Sequence, residues 1–291
     1  MIRDDFRFVE RLRVRWAEID AQNIVFNGHY LMYFDTAIAG YWRSLALPYH
    51  ESMRALQGDL YVRKATLEYL GSARYDDSID VGVRCERVGN SSIQFACGVF
   101  RQASLLVSGT LIYVFADPLS QSSRPVPGAL RECLLAYEAG AEMVSFTLGR
   151  WSNLEADLRR VRTRVFIEEQ GVPQAMEWDA IDADATHAIA RNSLGMPIGT
   201  GRGFFNPSGE YRIGRMAVLA ALRGHGIGRR LLDTLMDAGR AQGAKLVGLS
   251  AQTSAVPFYL RAGFSTQGDV YDDAGIAHIE MTRSLSLPAV S

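Results

Sequence analysis

The 291-residue chain is poor in cysteine: Cys85, Cys97 and Cys133 lie far apart, are odd in number, and have neither a C-x-x-C partner nor a histidine at metal-ligand spacing. That argues against a disulfide framework and a thiolate metal site, and the expectation is three buried apolar residues in a reducing compartment, with no metal bound. Long apolar runs are also missing. Nothing approaches the ~18 consecutive apolar residues that a membrane helix needs, and residues 1–10 are charged from the third position with no apolar leader core. A cytoplasmic protein without a membrane partner is expected. Charge of one sign is absent as well: the net charge is -1, which offers no footprint for nucleic acid and leaves room only for a small, locally held anion. What is present is globular composition, 48% hydrophobic and 22% charged. The length exceeds the usual single domain of roughly 100–200 residues, so two domains are expected, 1–140 and 141–291.

In the first half a strand over 8–16 leads to a polar turn over 18–29. Tyr30, Phe34, Ile38 and Trp42 then recur every four residues as one apolar helical stripe, with Pro48 expected to close the segment. Four runs of period-two alternation follow, over 61–70, 79–87, 92–100 and 105–115. One long helix followed by an antiparallel meander predicts an α+β layout in which a curled sheet wraps its helix. A serine- and proline-rich connector over 117–128 and a short helix over 129–139 lead to the boundary. The second half predicts a strand over 144–150 and a helix whose buried stripe is Leu154, Leu158, Val161 and Val165. Strands over 187–191, 198–205 and 211–219 precede a glycine-rich turn and a helix with Ile227, Leu231, Leu235 and Gly239 in step. The remainder is expected to alternate strand, helix and strand to residue 281.

Two stretches carry chemistry. Between the first strand and the long helix stands Asp20, where a carboxylate can attack a thioester or deprotonate water while helix N-terminal N–H groups stabilise the oxyanion. Taken alone, an Asp before a helix reads first as a cap or a solvated turn residue. Glu18, two positions earlier, is expected as a solvated strand-end residue. In the second half Met216-Ala217-Val218-Leu219 runs into Arg223-Gly224-His225-Gly226-Ile227-Gly228 and a helix. A strand feeding a Gly-rich turn and a helix can turn successive N–H groups, and the helix dipole, toward a pyrophosphate, with Arg223 and Arg229 adding charge. Neither a Walker loop nor a G-x-G-x-x-G dinucleotide fingerprint is present.

The segment Asp20, Ile24, Val25, Tyr30 resembles the signature of the 4-hydroxybenzoyl-CoA thioesterase group of the hotdog superfamily, and the likeness extends through Glu68-Tyr69 and Ala73-Arg74-Tyr75-Asp76-Asp77. It implies an antiparallel sheet wrapped round a central helix, Asp20 as catalytic carboxylate, the Tyr30 main-chain N–H as carbonyl-polarising donor, and a homo-oligomer of at least two chains completing the site. Asn23 replaces the family's glycine; asparagine tolerates left-handed backbone, so two outcomes stay open, a turn that survives and a side chain that crowds an acyl group and changes the substrate. Arg223 to Gly228 resembles the R-x-x-G-x-G acetyl-CoA motif of the GNAT superfamily, and Pro257-Phe258-Tyr259 with Gly263-Phe264 is similar to its second hallmark. That resemblance implies a C-terminal α/β acetyltransferase domain with Met216, Ala217 and Val218 along pantetheine. Arg223, Gly224, His225, Gly226, Ile227, Gly228 and Arg229 would lie around the pyrophosphate, with Tyr259 protonating the departing CoA thiolate. The V-F-x-x-E-Q stretch at Val165 to Gln170 and Gly275-Ile276-Ala277-His278 fit a small-molecule branch, whose amine acceptor must lose a proton; Glu168, Glu169 and Glu177 stay open as its base. The expectation is a bifunctional enzyme using acyl-CoA, acetyl-CoA and a small amine. The alternative is an acyl-CoA-binding regulatory or structural protein with one or both domains inactive.

Overall fold

The computed structural model describes residues 1–285 and divides into two compact units, Met1–Met143 and Val144–Ser291. The first contains β1 (Phe8–Arg13), α1 (His29–Ser44), α2 (Tyr49–Ala55), β2 (Asp59–Tyr69), β3 (Ser78–Val88), β4 (Ser92–Arg101), β5 (Ser104–Ala116) and α3 (Gly128–Glu138). Helix α1 follows from its stripe. Tyr30, Tyr33, Phe34, Ala37, Ile38, Tyr41 and Trp42 are all buried, each large side chain contributing roughly 1.5–3 kcal/mol of burial. The helix comes so close to the sheet that a Cβ on Gly109 of β5 would sit 2.4 Å from the Phe34 ring.

Two expectations fail in this unit. The meander holds only for β3, β4 and β5: the order is β1-β3-β4-β5-β2, all antiparallel, so β2 pairs with the distant β5 and forms an edge. Pro48 does not close α1. The helix ends earlier in a Schellman motif, with Ala46 in the left-handed region at φ 55°, the Ala46 N–H on Arg43 O at 2.9 Å and the Leu47 N–H on Trp42 O at 3.1 Å. Pro48, at φ -64°, instead precedes the unforeseen α2, where its missing N–H costs nothing.

The second unit contains β6 (Val144–Gly149), α4 (Trp151–Arg162), a π-helical turn (Thr163–Glu169), α5 (Gln174–Glu177), α6 (Ile181–Asp184), β7 (Thr186–Asn192), β8 (Pro197–Phe205) and β9 (Tyr211–Val218). These are followed by α7 (Ile227–Ala241), β10 (Leu246–Gln252), α8 (Val256–Arg261), β11 (Ser265–Asp273) and β12 (Ile276–Ser284). The described residues thus end on a hairpin rather than a single strand. The sheet order is β11-β12-β10-β9-β8-β7-β6. Its neighbours run antiparallel except β9 and β10, which pair in parallel at only two positions, Val247↔Tyr211 and Gly248↔Arg212, and then part. On its other side β9 is bulged: Thr200 faces Ala217 and Arg202 faces Gly214, so Arg215 and Met216 together oppose Gly201. Arg215 takes φ 52° to do so. Leu154, Leu158, Val161 and Val165 pack with Phe166, Ile189 and Ala217 as one apolar cluster under this bulge.

Candidate active sites

In the first unit Asp20 opens a tight turn. Its N–H donates to Ile24 O at 2.9 Å, its carbonyl accepts from Asn23 N–H at 3.0 Å, and Asn23 takes φ 59°, the left-handed conformation that glycine would supply. Asp20 Oδ1 accepts the N–H groups of Gln22 at 2.9 Å and Ile24 at 3.4 Å, and the Gln22 side-chain amide, nitrogen inward, lies 3.0 Å from both carboxylate oxygens. The carboxylate is therefore fixed by its own turn. It also borders a cleft of about 440 Å³ lined by Ile24, Val25, Asn27, Tyr30 and Tyr69. The Tyr30 main-chain N–H meets Asn27 O at a long 3.4 Å, a weak hold that a better acceptor can replace. The Tyr30 side chain is structural: it is buried, and its hydroxyl accepts the Ala73 N–H at 3.0 Å.

Glu18 contradicts its expectation as a solvated residue. It is 3% exposed, accepts the Tyr33 hydroxyl at 2.6 Å and the Arg15 N–H at 2.7 Å, and pairs with the Arg15 guanidinium. Burial pushes its pKa up, but the hydrogen bonds from Tyr33 and Arg15 outweigh that and hold it below the usual carboxylate range. The partner Tyr33 sits 15 residues on, one helical turn inside α1, so no local pattern announces the pair.

In the second unit the chain leaves β9 through a short 3-10 turn, Ala220–Leu222, and reaches Gly224 at φ 86° and Gly226 at φ 80°. A Cβ on either glycine would meet nothing of the protein within 4 Å. The glycines answer to backbone geometry and leave the outer side of the turn open. Gly226 caps α7 with no side-chain bond, and the first helical N–H to find a backbone acceptor outside the helix is that of Arg230, on Gly226 O at 3.1 Å. The N–H groups before it, with the helix dipole behind them, form an anion-ready terminus. The two arginines are not poised there freely. Arg223 is bidentate on Glu169 at 2.6 and 2.8 Å and also donates to Val218 O; Arg229 is held by Asp233 at 2.8 and 3.0 Å.

Where β9 and β10 part, a cavity of about 310 Å³ is lined by Phe166, Glu177, Arg215, Gln252, Tyr259 and His278 among others, and by Met216 of the bulge. Tyr259 reaches it from α8, 7% exposed, packed edge-on against Phe258 and Phe264. Burial pushes its phenol up to about 12, so the hydroxyl keeps its proton at neutral pH. Of the three carboxylates left open as a base, Glu168 pairs with Arg164 at the surface and Glu169 with Arg223; only Glu177 lines the cavity.

Glu177 belongs to a charge network that the sequence reading missed. Arg162, fully buried, donates to Glu177 Oε1 at 2.5 Å, Glu177 O at 2.5 Å and Asp182 Oδ1 at 2.7 Å. Arg202 bridges Asp182 and Asp179 at 2.6–2.7 Å, and Arg215 lies 3.3 Å from Glu177 Oε2 and Asp179 Oδ2. Three cations face three carboxylates. Burial opposes the charge on every carboxylate; the arginines prevail at Asp179 and Asp182, which are lowered, whereas at Glu177 burial prevails and the pKa is raised. The signal for this network was present: Arg162 stands four residues after Leu158 and eight after Leu154, a cation on a buried stripe.

Comparison with known proteins agrees with both halves. Residues 22–108 match the thioesterase superfamily and residues 154–285 match the acetyltransferase (GNAT) domain. An uncharacterized N-acetyltransferase of Bacillus subtilis, YjcF, is 34% identical over 124 residues, covering 42% of this chain and 87% of its own. A putative N-acetyltransferase structure from Lactobacillus plantarum covers 50% of the chain and 100% of its own at 26% identity and a TM-score of 0.47. A hypothetical protein from Aquifex aeolicus covers 44% and 98% at 26% identity and a TM-score of 0.41. Among the described residues no helix is long and apolar enough to cross a membrane, and no three His, Cys, Asp or Glu side chains converge as a metal site. The chain belongs to the GNAT acetyltransferase family through its second unit, joined in one polypeptide to a hotdog unit that matches the thioesterase superfamily over residues 22–108.

Proposed function

We propose that the chain is a bifunctional acyl-CoA enzyme: residues 1–140 hydrolyse a thioester, and residues 141–291 transfer acetyl from acetyl-CoA to a small amine. The observation that carries the second activity is the convergence of the parted strands, the open glycine turn and the protonated Tyr259 in one unit. The turn N–H groups of Gly224 to Arg229 hold the pyrophosphate, and the edge at Met216, Ala217 and Val218, past the last β10 pairing, pairs with pantetheine. Tyr259 gives its proton to the leaving thiolate. In the first unit Asp20 attacks the thioester or activates water, while the Tyr30 N–H exchanges its long bond to Asn27 for the thioester oxygen. A homo-oligomer formed through the hotdog unit completes that site, and the setting is cytoplasmic. The self-contained turn around Asp20 favours a second reading, in which the first unit binds acyl-CoA without hydrolysing it. A panel of acyl-CoAs assayed for thiol release with and without amines tests both: release without amine scores the hydrolase, amine-dependent release the transferase, and neither leaves only the binding reading.

Two further outcomes follow from the geometry. Gly226→Val places a β-branched residue at φ 80° on the open side of the turn, and acetyl-CoA affinity is expected to fall roughly tenfold or more by calorimetry. Unchanged affinity in a folded variant would make the turn purely structural. Tyr259→Phe keeps the ring contacts with Phe258 and Phe264 and removes the acidic proton. Because a thiolate can leave unaided, the loss in amine-dependent turnover is expected near the low end of general acid catalysis, roughly 10², with acetyl-CoA binding retained. A variant with full turnover, or one that loses binding instead, removes Tyr259 from the role of acid.

A further inference from the structure

The transferase reading leaves the amine's base unassigned, and the three carboxylates weighed from the sequence do not supply it. Glu168 and Glu169 are engaged by Arg164 and Arg223, and neither lines the cavity. Glu177 lines it, but both carboxylate oxygens are engaged, Oε1 by Arg162 at 2.5 Å and Oε2 by Arg215 at 3.3 Å. Taking a substrate proton there would leave two guanidiniums without their counter-charge. Of the remaining lining groups, Arg202, Arg212 and Arg215 are cations, and Asp273 is exposed at the hairpin end with a carboxylate, generally a weaker base than imidazole.

His278 on β12 differs from all of these. Its ring is half-buried in the cavity wall, and Nδ1 lies 2.8 Å from Ile276 O. A carbonyl oxygen only accepts, so Nδ1 is the donor in this bond and Nε2 is the ring nitrogen left to accept a proton. The ring is oriented a second time: it stacks on Tyr271 of β11 at an interplanar angle of 26°. Tyr271 is itself fixed, sharing a hydrogen bond with Ser250 of β10 and donating to Glu280 Oε1 at 2.8 Å. Opposite His278 in the sheet stand Tyr271 on β11 and Gln252 on β10, and Gln252 is committed to Gln170 at 2.9 Å. The charged groups that share the cavity wall with the ring are Asp273 on β11, Glu177, and Arg202, Arg212 and Arg215; Glu280, on its own strand, is paired to Arg212 at 2.6 Å.

Resting on the transferase reading, we propose that His278 is the general base of the acetyl transfer and that the acceptor is an amine that arrives as its ammonium ion. Nε2 takes one proton from R–NH₃⁺, and the freed nitrogen attacks the acetyl carbon. The C–N bond forms and the C–S bond breaks. The thiolate takes the Tyr259 proton, and the excess proton on nitrogen replaces the one Tyr259 gave. His278 returns its proton to solvent, so the step releases one H⁺, one amide and one CoA thiol.

His278→Asn tests this, because the shorter amide can keep the bond to Ile276 O while Nε2 is removed. The whole chain is assayed with acetyl-CoA against alkylamines (R–CH₂–NH₂), each matched by its oxyamine isostere (R–O–NH₂), which is neutral near neutral pH. With alkylamines the variant is expected to lose roughly 10²–10⁴ in kcat/KM together with the acidic limb of its pH profile; with oxyamines it should lose no more than a few-fold. Acetyl-CoA affinity should be unchanged. An equal loss with both acceptor classes would make His278 a positioning residue, and no loss with alkylamines would exclude it as the base. Wild-type protein that acetylates no member of either class would instead sink the transferase reading itself.

Discussion

Arg162→Met is expected to destabilise the second unit by about 3–5 kcal/mol, because it removes the cation at the buried centre of the network. Arg162, Glu177 and Asp182 have side chains only 0%, 2% and 5% exposed, so solvent screening does not soften the loss. Methionine fills much of the volume under Trp151 and Trp178, whose rings face the guanidinium at 5.6 and 4.7 Å, but it leaves Glu177 without its closest donor and Asp182 with Arg202 alone of its two arginines. Against a total stability of roughly 5–15 kcal/mol this is a large fraction. The thermal transition of the second unit should fall by roughly 6–20 °C, read by calorimetry. The cost lies in the stranded charges, so adding Asp182→Asn to Arg162→Met should cost less than the two single losses added together. A loss under about 1 kcal/mol, or strict additivity, would show that the network is not what holds the Met176 and Glu177 wall of the cavity.

Asp20→Asn is expected to lower amine-independent thioester hydrolysis by roughly 10²–10⁴ while leaving the fold in place. Asparagine has the same shape and can still accept the Gln22 and Ile24 N–H groups through Oδ1, so the turn that Asn23 closes at φ 59° survives. Only the charge that attacks the thioester or water is lost. Amine-dependent acetyl transfer, which belongs to the other unit, should be unaltered. Hydrolysis at the wild-type rate would return Asp20 to the role of turn residue and favour the acyl-CoA-binding reading.

What could be read from the sequence was what is local. The four-residue steps of Tyr30, Phe34, Ile38 and Trp42, and of Ile227, Leu231 and Leu235, are the buried faces of α1 and α7. The period-two runs are β2 to β5 within one or two residues at each end. The glycine turn was equally visible, since strand, turn and helix follow one another without a break from Tyr211 to Ala241. Pairing between distant segments was not visible. Strand β2 alternates much as its neighbours do, and nothing in it says that its partner is β5 rather than β3. Pro48 is an ordinary helix-stop signal; the Schellman geometry at Ala46 that ended the helix first needs a left-handed alanine, which no residue type announces. Glu18 read as a solvated acid because Tyr33 reaches it only after the chain has folded back, and Arg162 and Arg202 meet Asp182 in the same way. The same holds for the two arginines of the acetyl-CoA motif: their presence is a local fact, their engagement by Glu169 and Asp233 is not.

The central claim is that one polypeptide holds two separate CoA chemistries. It is tested most directly by following thiol release from the whole chain, with and without an accepted amine, in wild type, Asp20→Asn and Tyr259→Phe. The account predicts a double dissociation: Asp20→Asn loses only the amine-independent release, and Tyr259→Phe lowers only the amine-dependent release. Parallel loss of both activities in either variant would contradict it.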